Sequence, residues 1–124
     1  MDYNRQYEEQ RFVIRLTILY NLPPGSDEEE FLRWRLGEHQ TENAAAPGVI
    51  RTDFGRVDTC WPSAEKPPYR FMTTADWPDR ESFEAAFYDE ALQAQLQEDL
   101  KKISDSLFLI SEILAETQNE GQSS

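Results

Sequence analysis

Residues 12–20, Phe-Val-Ile-Arg-Leu-Thr-Ile-Leu-Tyr, are apolar on both sides of an extended chain, and this constrains the fold more than any other feature of the sequence. The run is rich in β-branched and aromatic residues and is stopped by Asn21-Leu-Pro-Pro-Gly25, so it reads as a strand. Alternation puts Phe12, Ile14, Leu16 and Ile18 on one face and Val13 and Leu19 on the other. Such a strand belongs in a sheet that is covered on both sides.

The rest of the chain offers little with which to cover it. Ser26-Asp-Glu-Glu29 reads as a capping box, the Ser26 hydroxyl and Glu29 carboxylate satisfying free amides at the start of a helix that Pro47-Gly48 ends at about Ala46. Val49 to Val57 is a second strand, with Arg51, Asp53 and Gly55 on one face and Ile50, Thr52, Phe54 and Arg56 on the other. A proline-studded loop, Asp58 to Pro68, leads to a third strand, Tyr69 to Trp77, whose Tyr69, Phe71, Thr73, Ala75 and Trp77 share a face. Asp79 caps a helix from Arg80 with a buried stripe of Phe83, Ala86 and Phe87. After a break near Asp89 a further stripe follows, Leu92, Leu96, Leu100 and Ile103, and Leu107 to Leu114 is the last strand. The order β-α-β-β-α-β predicts an α+β ferredoxin-like fold, an antiparallel four-stranded sheet with helices on one face. Those helices leave the second face open, and a symmetry mate is the expected cover, giving a homodimer.

The 124 residues suit one core, placed at residues 12–115 between an N-terminal tail, 1–11, and a polar, disordered tail, 116–124. No apolar run is long enough to cross a membrane, and the N-terminus lacks a basic segment followed by an apolar one, so a cytoplasmic location is expected. A net charge of −12 repels phosphate backbones and anionic headgroups, which argues against nucleic acid and membrane as partners. The single cysteine, Cys60, cannot form an internal disulfide, and with one histidine it cannot complete a structural zinc site. Gly-rich phosphate loops, a Gly-x-Ser-x-Gly elbow and paired-histidine motifs are absent from the sequence, and no metal or cofactor is expected.

Chemistry concentrates on the first helix. At about 100° per residue, Phe31, Leu32, Leu36 and Ala46 form its sheet-facing stripe, and Arg35, His39 and Asn43 fall inside it. Polar groups on a packing face need partners or a cavity. Either helix and sheet part to leave a pocket holding an imidazole, a guanidinium and an amide, or these side chains sit at the sheet edge, satisfied by strand residues. His39 can exchange a proton near neutrality, Arg35 can hold a carboxylate or stabilise an enolate or phenolate, and Asn43 can orient a ring or a substrate oxygen. Trp34 and Glu38 flank the stripe. Phe54, Phe71 and Phe83, among other aromatics, are numerous enough to wall an apolar cavity, although core filling explains them more simply.

The opening strand ending Leu19-Tyr20 with prolines after it, Phe31-x-x-Trp34-x-x-x-x-His39, Pro47-Gly48 before strand two, Tyr69-Arg-Phe, and Trp77-Pro-Asp-Arg-Glu-Ser-Phe83 together resemble the EthD-like branch of the dimeric α/β-barrel superfamily. The resemblance spans about residues 12–115. It implies two ferredoxin-like subunits with facing sheets and a pocket between each subunit's helices and sheet. It also implies a cofactor-free cyclase, isomerase, decarboxylase or oxygenase of secondary metabolism or aromatic degradation, acting on a small hydrophobic or aromatic compound. His39 matches the helix-one histidine of the family and becomes the expected catalytic acid/base, with Trp34, Arg35, Asn43, Phe54, Phe71 and Phe83 as expected substrate contacts. Gln40-Thr-Glu42 departs from relatives that often carry a proline soon after the histidine. The alternative is a non-catalytic homodimeric ligand-binding or accessory protein of the same fold.

Overall fold

The computed structural model describes residues 11–119. Strand β1 (Val13–Asn21) is followed by a helix in three parts: α1 (Glu28–Trp34), a π-helical turn (Arg35–His39) and α2 (Gln40–Ala44). Then come β2 (Arg51–Arg56), β3 (Phe71–Trp77), α3 (Arg80–Phe87), α4 (Glu90–Leu100) and β4 (Ser104–Ile113). The sheet runs β2-β3-β1-β4 with every neighbouring pair antiparallel, the ferredoxin-like order. Among the described residues no helix is long and apolar enough to cross a membrane. Of the two expected tails, residues 1–10 and 120–124 fall outside the described residues, and 116–119 carry no helix or strand.

The local chemistry differs from the sequence reading in places. Asp27, not Ser26, caps the first helix, its carboxylate accepting the Glu30 amide at 3.2 Å, while the Ser26 hydroxyl turns back to the Pro23 carbonyl at 2.6 Å. Asp79 caps α3 as expected, and Asp89, where a break was expected, caps α4. Strands two and three are shorter than their apolar runs, so Tyr69 lies outside the sheet. Strand four starts earlier, because a register shift near Asn21 carries the ladder to Ser104, beside Asp105 at φ 55. Gly48 has φ +78, and a Cβ there would lie 3.3 Å from the Trp77 ring. That close approach lets the Trp77 indole donate to the Pro47 carbonyl at 2.9 Å and pins the end of the long helix to the sheet.

Two separate apolar clusters fill the space between sheet and helices. Ile14, Leu16, Trp77, Phe83 and Ala86 pack under α3; Tyr20, Phe31 and Phe71 pack under α1. Half-buried Ile18 touches both, and between them the helices stand off the sheet. Leu36, expected to face the sheet, is 61% exposed.

Among the described residues, the opposite sheet face carries no helix. Register places Val13, Leu19, Met72, Leu107, Leu109 and Ile113 on it, beside a polar knot around Asp76. Asp76 is 2% exposed and accepts Arg15 Nε at 2.8 Å and Arg51 Nη1 at 3.1 Å. Burial by itself would raise its pKa, but the hydrogen bonds from Arg15 and Arg51 outweigh burial and hold the carboxyl below its ordinary 3.8. The folded state therefore favours the charged form: this contribution is full above pH 3.8 and is lost as pH falls through the lower folded value. Asp76→Asn should lower the melting temperature at neutral pH and make its decline under acid shallower. An acid limb as steep as that of the unaltered chain would contradict this.

Candidate functional site

The π turn decides which side chains meet. At 3.6 residues per turn, residues five apart lie about 140° from one another and cannot touch. The wider turn over Arg35–His39 brings two such pairs together. The Trp34 and His39 rings stack at 4.3 Å with 23° between their planes, and Arg35 Nη1 donates to Gln40 Oε1 at 2.6 Å. The same extra residue swings Leu36 outward. Gln40, where the resemblance marks a departure from proline, thus serves as a partner of Arg35.

A cavity of about 510 Å³ lies in the split between the two apolar clusters, within the size range of small-molecule sites. Its sheet side is Leu16, Ile18, Tyr20, Thr73, Ala75 and Trp77; Trp34, Arg35, His39 and Asn43 face it from the long helix. From α4 come Leu92, Leu96, Leu100 and Asp99. The small side chains Thr73 and Ala75 on the central part of β3 leave the room that helix packing does not fill.

His39 is the imidazole on this wall. Its side chain is 14% exposed, and Nδ1 is buried without a hydrogen bond among the described residues, 3.6 Å from Asp99 Oδ2 and 3.7 Å from Glu42 Oε2. Burial pushes the imidazole below its ordinary 6.5, Asp99 opposes that, Arg35 adds to it and Glu42 opposes it. The net effect keeps the ring neutral at neutral pH, with two carboxylates close enough to stabilise the cation formed when it accepts a proton.

Arg35 is 2% exposed. Its guanidinium lies 4.3 Å above the Phe54 ring, and Nη2 donates to Thr73 Oγ1 at 3.1 Å. Burial lowers its pKa, with Tyr20 opposing, and an arginine stays charged at any working pH.

Four of the expected site residues, Trp34, Arg35, His39 and Asn43, line one cavity. Three do not. Phe71 and Phe83 are 0% and 1% exposed and fill the two clusters, because an aromatic on the sheet-facing side of β3 or α3 is packed before it can border a void. Phe54 stacks on Phe71 at 5.5 Å and lies under Arg35, outside the cavity lining. Asp99 was missed. Its signal is positional: Leu92, Leu96, Asp99 and Ile103 repeat at i, i+4, i+7 and i+11, so a carboxylate stands where the stripe calls for an apolar residue.

A βαββαβ subunit with an antiparallel β2-β3-β1-β4 sheet and a cavity between helices and sheet defines the ferredoxin-like fold class. Within it, the chain belongs to the family described as REDY-like protein HapK, whose profile matches residues 14–114. No curated protein matches the chain in sequence. Among solved structures, an EthD family protein from Bacillus halodurans is 20% identical with a TM-score of 0.67, over 82% of this chain and 99% of that one. A dimeric ferredoxin-like protein of unknown function from Thermobifida fusca gives 17%, 0.61, 84% and 93%. SnoaB, a cofactor-independent oxygenase from Streptomyces nogalater, gives 14%, 0.63, 86% and 98%. At these identities the likeness is one of fold.

Proposed function

We propose that the chain is a cofactor-independent enzyme acting on a small hydrophobic or aromatic substrate in the helix–sheet cavity, with His39 as general acid/base. The observation that carries this is a neutral, largely buried imidazole on the wall of an apolar cavity, with Asp99 3.6 Å from the nitrogen that turns away from solvent. Nδ1 is the buried nitrogen, so Nε2 is the one left to exchange a proton with a ligand. As Nε2 takes a proton, Asp99 and Glu42 stabilise the imidazolium, while Asn43 and Trp34 orient the substrate beside it. The description of SnoaB as a cofactor-independent oxygenase supports this reaction class.

The working unit in this reading is a homodimer in the cytoplasm, serving secondary metabolism or aromatic degradation. The apolar open face around Leu19, Leu107 and Leu109, and the dimeric description of the Thermobifida fusca relative, support the dimer. One observation favours the alternative, a homodimeric ligand-binding or accessory protein: Nδ1 of His39 makes no hydrogen bond among the described residues. A turnover screen of aromatic polyketides and lactones, run with the unaltered chain and with His39→Gln, separates the two. Turnover that needs the imidazole supports the enzyme; binding without turnover supports the accessory role.

A further inference from the structure

Among the described residues, the buried charge on the cavity wall has no counter-charge. Acidic residues outnumber basic ones 24 to 12 in this chain, so an arginine has acids in excess to pair with. Arg15 and Arg51 take Asp76, and Arg70 takes Glu28. Arg35 is the most buried arginine among the described residues, yet its partners are the neutral Gln40 amide, the Thr73 and Tyr20 hydroxyls and the Phe54 face. The two acids on the cavity wall, Asp99 and Glu42, lie against His39 instead. A buried cation without an anion destabilises a fold by its lost hydration.

We infer that Arg35 is an anion subsite, and that the cavity takes aromatic or apolar molecules bearing a carboxylate, which completes the missing ion pair. This rests on the reading of the cavity as a ligand site and names the class of ligand. The geometry suits the task. Gln40 and Thr73 occupy two of the five guanidinium N–H groups, and stacking on Phe54 fixes the plane, leaving a preorganised fork for a carboxylate. Arg35 is more deeply buried than the His39 side chain at 14% or the Asp99 side chain at 15%. The carboxylate therefore goes in first, and the ring it carries reaches back past Ile18 and Leu96 toward the imidazole. The chain's net charge of −12 opposes approach of an anion at long range, but beyond about 8 Å physiological salt screens it, whereas Arg35 acts at contact.

The test uses two probes of the same shape, 2-naphthoate and 2-naphthamide, titrated calorimetrically into the full chain at physiological salt. The carboxylate should bind at least about tenfold more tightly, the share of one charge-assisted pair, and Arg35→Gln should abolish that preference. Should Arg35→Gln fail to fold, the two probes on the unaltered chain decide alone. Equal binding, or tighter binding of the amide, overturns the anion subsite and leaves the cavity reading standing. Failure of both probes to bind at millimolar concentration overturns the cavity reading and the subsite with it.

Discussion

His39→Ala should cut turnover by roughly 10²–10⁴-fold, the usual share of general acid/base catalysis. His39→Gln should be equally inactive, since an amide keeps a hydrogen-bonding side chain of similar reach but cannot titrate. Folding should survive both changes. The buried Nδ1 makes no hydrogen bond that alanine would orphan, and the main loss is the stack on Trp34 at 4.3 Å, worth about 0.5–1.5 kcal/mol for an aromatic pair. A histidine kept only for packing gives the opposite pattern: early melting with full specific activity. Melting curves measured beside turnover distinguish these outcomes.

The Leu107→Glu/Leu109→Glu double variant should convert the protein from a dimer of twice 14.5 kDa to a monomer of 14.5 kDa in sedimentation. Leu107 and Leu109 are 41% and 44% exposed on the free sheet face, paired across the ladder with Leu19 and Thr17. Partial exposure means the subunit tolerates the charges. A two-fold interface sets them in duplicate against apolar surface, and an unpaired buried charge costs about 3–5 kcal/mol, two decades or more in dissociation constant. Leu36→Glu is the control, because Leu36 is 61% exposed on the helical side. A monomeric unaltered chain, or a double variant still dimeric at low micromolar concentration, would remove the proposed assembly.

The fold was legible because its signals are local and redundant. Alternation marks the strands, Asp79 and Asp89 stop and start helices at short range, and Pro47-Gly48 ends the long helix. The two-sided β1 also implied the open face that the sheet displays. The site was only half legible. A constant 100° per residue put Arg35, His39 and Asn43 on one face, and they do line one cavity. The same rule placed Leu36 inward, where a π turn, invisible to a fixed period, rotates it out. The pairs Trp34–His39 and Arg35–Gln40 arise from that turn and have no counterpart in helical spacing. Phe54, Phe71 and Phe83 were credited to the site because composition cannot separate an aromatic that fills a core from one that borders a void. Asp99 belongs to another helix, and only the tertiary fold brings it to His39.

The most direct measurement is the pH titration of the His39 imidazole by NMR, unambiguous because the chain has one histidine. Burial against Trp34 outweighs Asp99 and Glu42 and is joined by Arg35, so the midpoint should lie below 6.5. Acidification through 6.5 should then cost stability, because the unfolded chain takes up the proton first. Asp99→Asn should lower the midpoint further by removing the carboxylate that favours the cation, and Glu42→Gln should move it the same way. A midpoint at or above 6.5, unmoved by Asp99→Asn, would contradict a neutral imidazole poised between cavity and carboxylate.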